Sequence, residues 1–200
     1  MKLTELNKLL NSELTTKIKK TSLENDELFI NVKVENLYSV LLFLKTDDKC
    51  RFKQLLDIAA ADYLDEEERF EICYLLLSHE NNLRIKVLIN FNSEEKIPSI
   101  TKLYPAANWM EREVFDMFGI KFKNHPDLRR ILTAYGFDGY PLRKDFPLTG
   151  FNEVRYSEKD KKVIYEQVKL EQDYRKFDFD SPWEGTKYME KIKTKKSKDD

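Results

Sequence analysis

Glycine is scarce in this chain: five in 200 residues, and none before Gly119. Phosphate and dinucleotide loops of the usual kind need glycines in a strand-to-helix turn, so that class of site is absent from everything before Gly119. Cysteine and histidine are scarcer still, with Cys50, Cys73, His79 and His125 the full set. Their spacing makes neither a disulfide framework nor a zinc site. Two isolated thiols read as buried bystanders in a reducing compartment. No apolar run reaches the 18 or so residues that a membrane-spanning helix requires. Charge of one sign is lacking too, since 35 basic residues face 36 acidic ones, a net charge of −1. Nothing here pulls the chain toward nucleic acid or anionic lipid.

What is present is enough for a core, with 41% hydrophobic and 12% aromatic residues. The expected architecture is α+β: a small, mostly antiparallel sheet with helices, followed by a long irregular C-terminal arm. Leu3, Leu6, Leu10 and Leu14 share one face of a predicted helix over about 3–18, within an N-terminal helical segment assigned to residues 1–22. The opening residues include acids and no arginine, unlike a cleaved transit peptide. Lysine outnumbers arginine 26 to 9, a bias that points to an AT-rich gene, organellar or bacterial.

The α+β domain spans 23–134. Leu28, Ile30, Val32 and Val34 alternate as a strand, and Asn36 caps a helix carrying Leu37, Val40, Leu41 and Leu44. Phe52–Tyr63 fits helix or strand, and Asp65–Glu68 is a solvated turn. Arg69–Ser78 and Leu83–Phe91 alternate cleanly and flank Asn81-Asn82, a hairpin turn.

Composition shifts near residue 97. Five of the six prolines lie between Pro98 and Pro147, and Tyr135–Gly150 mixes breakers with Tyr135, Phe137, Tyr140 and Phe146. Such a loop rests on its own domain or on a partner. Residues 135–185 read as an extended partner-binding arm, with a short hairpin across Ser157–Lys162 and spaced anchors at Tyr174, Phe177, Phe179 and Trp183. Residues 186–200, with six lysines against three acids, read as a charged, disordered tail.

The densest information lies in Asn108–Leu132, NWMEREVFDMFGIKFKNHPDLRRIL. Asn108 as N-cap with Glu111 three residues on makes a capping box, worth ~1 kcal/mol, and Gly119 ends the helix. Arg112, Glu113 and Asp116 form a charged stripe around Trp109 on an otherwise apolar helix. Arg112 can pair with Asp116 four residues on, and Arg129 and Arg130 are the nearest further cations. Glu113 and Asp116 could act as a paired-carboxylate acid/base site with His125 as shuttle. No nucleophile or metal set accompanies them, so an ion-pair network joining helix to loop is the more economical reading. His125 before Pro126 fits a structural hydrogen bond. Arg143-Lys144-Asp145, set between Pro141 and Pro147, fits an interface. No catalytic, cofactor-binding or metal residue is expected.

These residues resemble one family, the thirty-kilodalton subunit of respiratory complex I, the proton-pumping NADH:quinone oxidoreductase. Its signature appears here as Glu111-Arg112-Glu113, Asp116, Met117-Phe118, His125, Arg129 and Ile131-Leu132, with every spacing kept. Downstream, Tyr135-Gly136-Phe137, Pro141–Pro147, Glu153–Tyr156 and Ser181–Glu184 resemble the same family. The resemblance is specific over about Leu103–Trp183 and one of pattern over 28–91. Asn124 stands where the family usually has Gly, and Tyr140 where it usually has His.

The resemblance implies a peripheral-arm subunit with no cofactor of its own, beside partner subunits that carry FMN and iron–sulfur clusters. Its chief partner would be the hydrogenase-like quinone-site subunit. Its place would be the matrix side of the mitochondrial inner membrane, or the cytoplasmic face of the plasma membrane in a bacterium. Glu111, Arg112, Glu113, Asp116, Arg129 and Arg130 would fix the start of the arm, and Arg143, Lys144 and Asp145 would contact neighbours. Two rivals are a stand-alone enzyme using Glu113 and Asp116, and an adaptor that binds acidic partners through its lysine-rich end.

Overall fold

The computed structural model describes residues 2–92, 94–170 and 172. The chain forms two compact units, Met1–Gly150 and Phe151–Asp200. They divide at Gly150, not at the 134/135 boundary expected from composition, because the loop up to Gly150 is bonded back onto the first unit. Trp183, the anchors Tyr174, Phe177 and Phe179, and the tail 186–200 lie outside the described residues.

In the first unit, helix α1 spans Leu3–Glu13 and buries Leu6 and Leu10. Leu14 caps its end, also buried. The helix is shorter than the leucine spacing predicts, because Ile18–Glu24 is strand β1. Its partner β2, Glu27–Val32, pairs antiparallel across a two-residue turn. Asn25 (φ 49°) and Asp26 (φ 60°) both adopt the left-handed conformation that such a turn needs and that these residue types tolerate. Residues 1–22 are therefore a helix plus an edge strand.

After a single 3-10 turn at Val34–Asn36, helix α2 spans Leu37–Thr46. It buries Leu37, Val40, Leu41 and Leu44, the spacing read from sequence. Asn36 precedes it without a side-chain cap; its amide reaches the Lys17 carbonyl instead. Strands β3 (Gln54–Asp62), β4 (Phe70–Ser78) and β5 (Leu83–Phe91) follow, so the ambiguous segment is a strand. The β4–β5 hairpin turns through Asn82 (φ 50°), while the Asn81 side chain donates to the Lys49 and Cys50 carbonyls.

The five-stranded sheet runs β1-β2-β5-β4-β3, antiparallel except for the parallel pair β2–β5. Alternation sends Ile30, Val87, Tyr74 and Ile58 to one face in register. There they join the buried leucines of α1 and α2 in a single core. Each such side chain contributes roughly 1.5–3 kcal/mol by leaving water. Beyond the sheet, β6 (Ile97–Pro98) pairs in parallel with β7 (Phe122–Lys123), closing a loop around helix α3, Ala107–Phe118. Tyr104 ties this region to the sheet by donating its hydroxyl to the Phe52 carbonyl at 2.7 Å.

In the second unit, β8 (Asn152–Ser157) and β9 (Lys162–Gln167) form the predicted hairpin across Ser157–Lys162.

Candidate functional site

Helix α3 carries the charged stripe, and the structure sends its members in different directions. Asp116 is fully buried and accepts five hydrogen bonds from the loop that follows β7. The amides of Ile131, Leu132 and Thr133 donate to Oδ2 at 2.9, 2.7 and 2.9 Å. The Thr133 hydroxyl and Arg130 Nη1 donate to Oδ1 at 2.6 and 2.7 Å. Burial alone would raise this carboxyl. The Thr133 hydroxyl and amide, Arg130 and the Ile131 amide outweigh it and hold the group far below the usual carboxylate range.

Arg112 does not pair with Asp116. Its Nε and Nη2 donate to the Arg129 and Arg130 carbonyls at 3.0 and 3.2 Å. The same loop thus offers its amides to Asp116 and its carbonyls to Arg112, neighbours one turn apart on α3. The fork thus holds carbonyls of a partly buried loop while the carboxylate holds its amides. Arg129 pairs with Asp127 at the exposed surface (2.8 Å), so of the two candidate cations only Arg130 enters the network.

Glu111 is fully buried and does not cap the helix. The helix begins one residue before Asn108, with Ala106 at its N-cap, and Glu111 Oε1 accepts from the Ile100 amide at 2.8 Å. Burial raises Glu111 from 4.5 to about 7, against the Ile100 amide and the Ser99 hydroxyl, which lower it. Glu113 and Trp109 face outward, Trp109 at 70% exposure. Glu113 and Asp116 therefore make no paired-carboxylate site: one is on the surface and the other is saturated with donors.

His125 has a fully buried side chain. The Asp127 amide donates to its Nδ1 at 3.1 Å, which leaves the proton on Nε2 to donate to the Asn108 carbonyl at 3.1 Å. Burial lowers its pKa, so the ring is a neutral structural link, as its place before Pro126 predicts. Asn124 holds φ 63°. Asparagine is the residue that best replaces glycine in that conformation.

Arg143, Lys144 and Asp145 seat the next stretch of loop. The Lys144 amide donates to Asp62 Oδ2 at 2.8 Å, while the Lys144 side chain is exposed. Arg69 forks onto Asp62 at 2.7 and 2.8 Å and reaches Asp145 at 2.9 Å. Arg69 holds the Asp62 carboxyl below its usual range; burial opposes this and the Lys144 amide assists. Arg143 donates to the Phe118 carbonyl and lies over the Phe70 and Tyr140 rings, 5.3 and 4.6 Å from their centroids. Tyr140 is stacked between Arg143 and Arg130, the latter at 5.2 Å. The stack rests on Gly119 (φ 76°), where any Cβ would meet the Tyr140 ring at 2.6 Å. Glycine is thus needed there for both conformation and space.

Asp62, Arg69, Phe70 and Thr133 were not among the residues singled out by sequence. The one available signal was an acid ending β3 and a base opening β4, on either side of the acidic turn. Trp183 lies outside the described residues. Among those described, no group of three or more His, Cys, Asp or Glu side chains is placed to hold a metal ion. Nor is any helix long and apolar enough to cross a membrane.

Residues 30–152, which include the charged helix and the whole pinned loop, match the family model described as "Respiratory-chain NADH dehydrogenase, 30 Kd subunit". The chain belongs to this family. Among its relatives, an NADH-quinone oxidoreductase subunit of Parvibaculum lavamentivorans is 56% identical over 163 residues, 82% of each chain. The same subunit of Mesorhizobium japonicum is 47% identical over 196 residues, 96% of this chain and 98% of the relative. Of the signature residues in this chain, Asp116 and Arg112 hold the loop after β7, Glu111 and His125 bond around α3, and Glu113 faces outward. A solved structure from an archaeal respiratory membrane complex, the membrane-bound sulfane sulfur reductase, contains a similar chain. It is 25% identical, with TM-score 0.63 over 72% of this chain and 85% of that one.

Proposed function

We propose that this thirty-kilodalton-family chain is a structural subunit of the peripheral arm of a proton-pumping NADH:quinone oxidoreductase. It supports electron flow from NADH to quinone without a cofactor of its own, FMN and iron–sulfur clusters residing on other subunits. The observation that carries the reading is the use of the charged side chains around the loop. Asp116, Arg112, Arg130, Asp62 and Arg69 are committed to holding a loop, not gathered in an open cleft. Chemistry of that kind shapes a surface for partners.

The second unit supplies an apolar face. Val154 pairs with Tyr165 and Tyr156 with Val163, so all four project from one side of the ribbon. Each is more than half exposed. A two-stranded ribbon with an uncovered apolar face is marginal alone, which favours burial against a partner. In this reading the partner is the hydrogenase-like quinone-site subunit, with Trp109 and Glu113 of α3 and the Lys144 side chain as further outward contacts. The setting is the membrane's electron-input side: the matrix face in a mitochondrion, the cytoplasmic face in a bacterium. The lysine bias that favours an organelle fits an AT-rich bacterium equally, and the relatives above are bacterial.

A tagged chain extracted in mild detergent and run on a native gel tests this. Migration in a large NADH-oxidising band is expected, whereas recovery only as a free particle of 23.9 kDa would overturn the reading. The double variant Tyr156→Glu/Tyr165→Glu should cut incorporation by about tenfold or more, as loss of buried aromatic anchors does. Undiminished incorporation would remove the ribbon from the interface.

A further inference from the structure

Among the described residues three buried side-chain oxygens have no hydrogen-bond partner: Asn31 Oδ1, Glu111 Oε2 and the Tyr74 hydroxyl, the last two near α3. Glu111 and Tyr74 are both 0% exposed. They come from different elements, α3 and the interior strand β4, and the Glu111 charge acts on the Tyr74 hydroxyl. Glu111 Oε1 is satisfied by the Ile100 amide. What Glu111 lacks is a cation.

The groups that face it settle this. From the segment after β6 come the Ile100 amide and the Ser99 hydroxyl. From β4 comes Tyr74, which burial, followed by the Glu111 charge, keeps well above its ordinary pKa and hence neutral. From the turn after β7 comes His125, its Nε2 3.8 Å from Glu111 Oε2. That histidine cannot serve as the counter-ion. Its Nδ1 lone pair is taken by the Asp127 amide and its Nε2 proton points to the Asn108 carbonyl. Arg112 and Asp127 act on His125 with opposite sign. Among the described residues, no lysine or arginine forms an ion pair with Glu111. An ionised Glu111 would therefore be a buried charge with one oxygen bare, a costly state.

A proton removes the cost at Glu111. On Oε2 it turns a bare, buried acceptor into a neutral hydroxyl, with the neutral Tyr74 close enough to feel any Glu111 charge. We propose that Glu111 is a buried proton-binding site, its unpartnered Oε2 holding a proton in the folded chain. The site joins α3 to the 99–101 segment through the Ile100 amide. Ionisation of Glu111 destabilises that junction. The inference does not depend on the proposed function.

The sign follows from Glu111 being an acid with a raised pKa in the fold, about 7 against 4.5. The folded state binds the extra proton. The stability it contributes is full below the unfolded value and is lost as pH rises toward the folded one. Urea unfolding of the full-length chain across this range should show the folding constant falling with pH, by up to about tenfold per pH unit from this group. Glu111→Gln, a mimic of the protonated carboxyl, should remove that fall. Parallel pH profiles for wild type and variant would overturn the proposal. Should Glu111→Gln fail to fold, the wild-type infrared spectrum decides. A protonated-carboxyl band that persists at pH 6 and vanishes on alkalinisation is expected, and its absence at pH 6 would overturn the site.

Discussion

Asp116→Ala lowers the unfolding free energy of the full-length chain by about 3–5 kcal/mol, the range for removing one partner of a buried, hydrogen-bonded ion pair. The size comes from what is left behind. Arg130, only 18% exposed, keeps its charge without a counter-ion. Three consecutive amides, Ile131 to Thr133, lose their shared acceptor. Asp116→Asn is expected to be nearly as damaging, since its amide nitrogen would turn N–H groups toward the three donors at one oxygen or the two at the other. Urea unfolding at pH 7 measures the loss. The pH dependence has a definite sign. A carboxyl held below its ordinary 3.8 contributes stability fully above that value and loses it as pH falls toward the folded pKa. Asp116→Ala should thus differ most from wild type at neutral pH and converge with it in strong acid. A loss under 1 kcal/mol would mean that the loop is held by other contacts.

Asp62→Ala is the second large effect, about 3 kcal/mol or more by the same reasoning. The Asp62 side chain is 0% exposed and takes both arms of the Arg69 fork together with the Lys144 amide. Asp145 remains to Arg69 as a partner but is 48% exposed, so its compensation is partial. The loss should be local as well as global. Hydrogen exchange at the Lys144 amide should accelerate strongly, and the Arg143 stack on Phe70 and Tyr140 should loosen with it. Exchange there at the wild-type rate would show that Asp62 does not seat the loop.

These two carboxylates differ in how far the sequence revealed them. Asp116 could be singled out because its helix carries a dense charge pattern, and Arg130 was near enough in sequence to be named. Asp62 offered only the acid-base pair with Arg69 across the acidic turn, and its loop partner Lys144 lies 82 positions away, where only the fold brings them together. Glu111 looked like the second half of a capping box, but the helix starts one residue earlier and a tertiary amide, Ile100, takes the carboxylate. Local pattern lost to tertiary contact there. Strong alternation made the β4–β5 hairpin and the α2 face legible. Strand β1 was not, because Ile18–Glu24 is mostly polar and gains its place by pairing at a sheet edge. The breaker-rich loop left open whether it packs on its own domain or on a partner. Arg130, Arg143 and Gly119 answer that for residues 130–146, through contacts that pattern cannot encode.

The most direct measurement is NADH:quinone turnover per assembled complex, set against the amount assembled, for Asp116→Asn and Glu113→Gln. The structural reading predicts less complex for Asp116→Asn and a normal amount for Glu113→Gln, with unchanged turnover per complex in both. A fully assembled complex that has lost turnover through either substitution would contradict it and place chemistry on this helix.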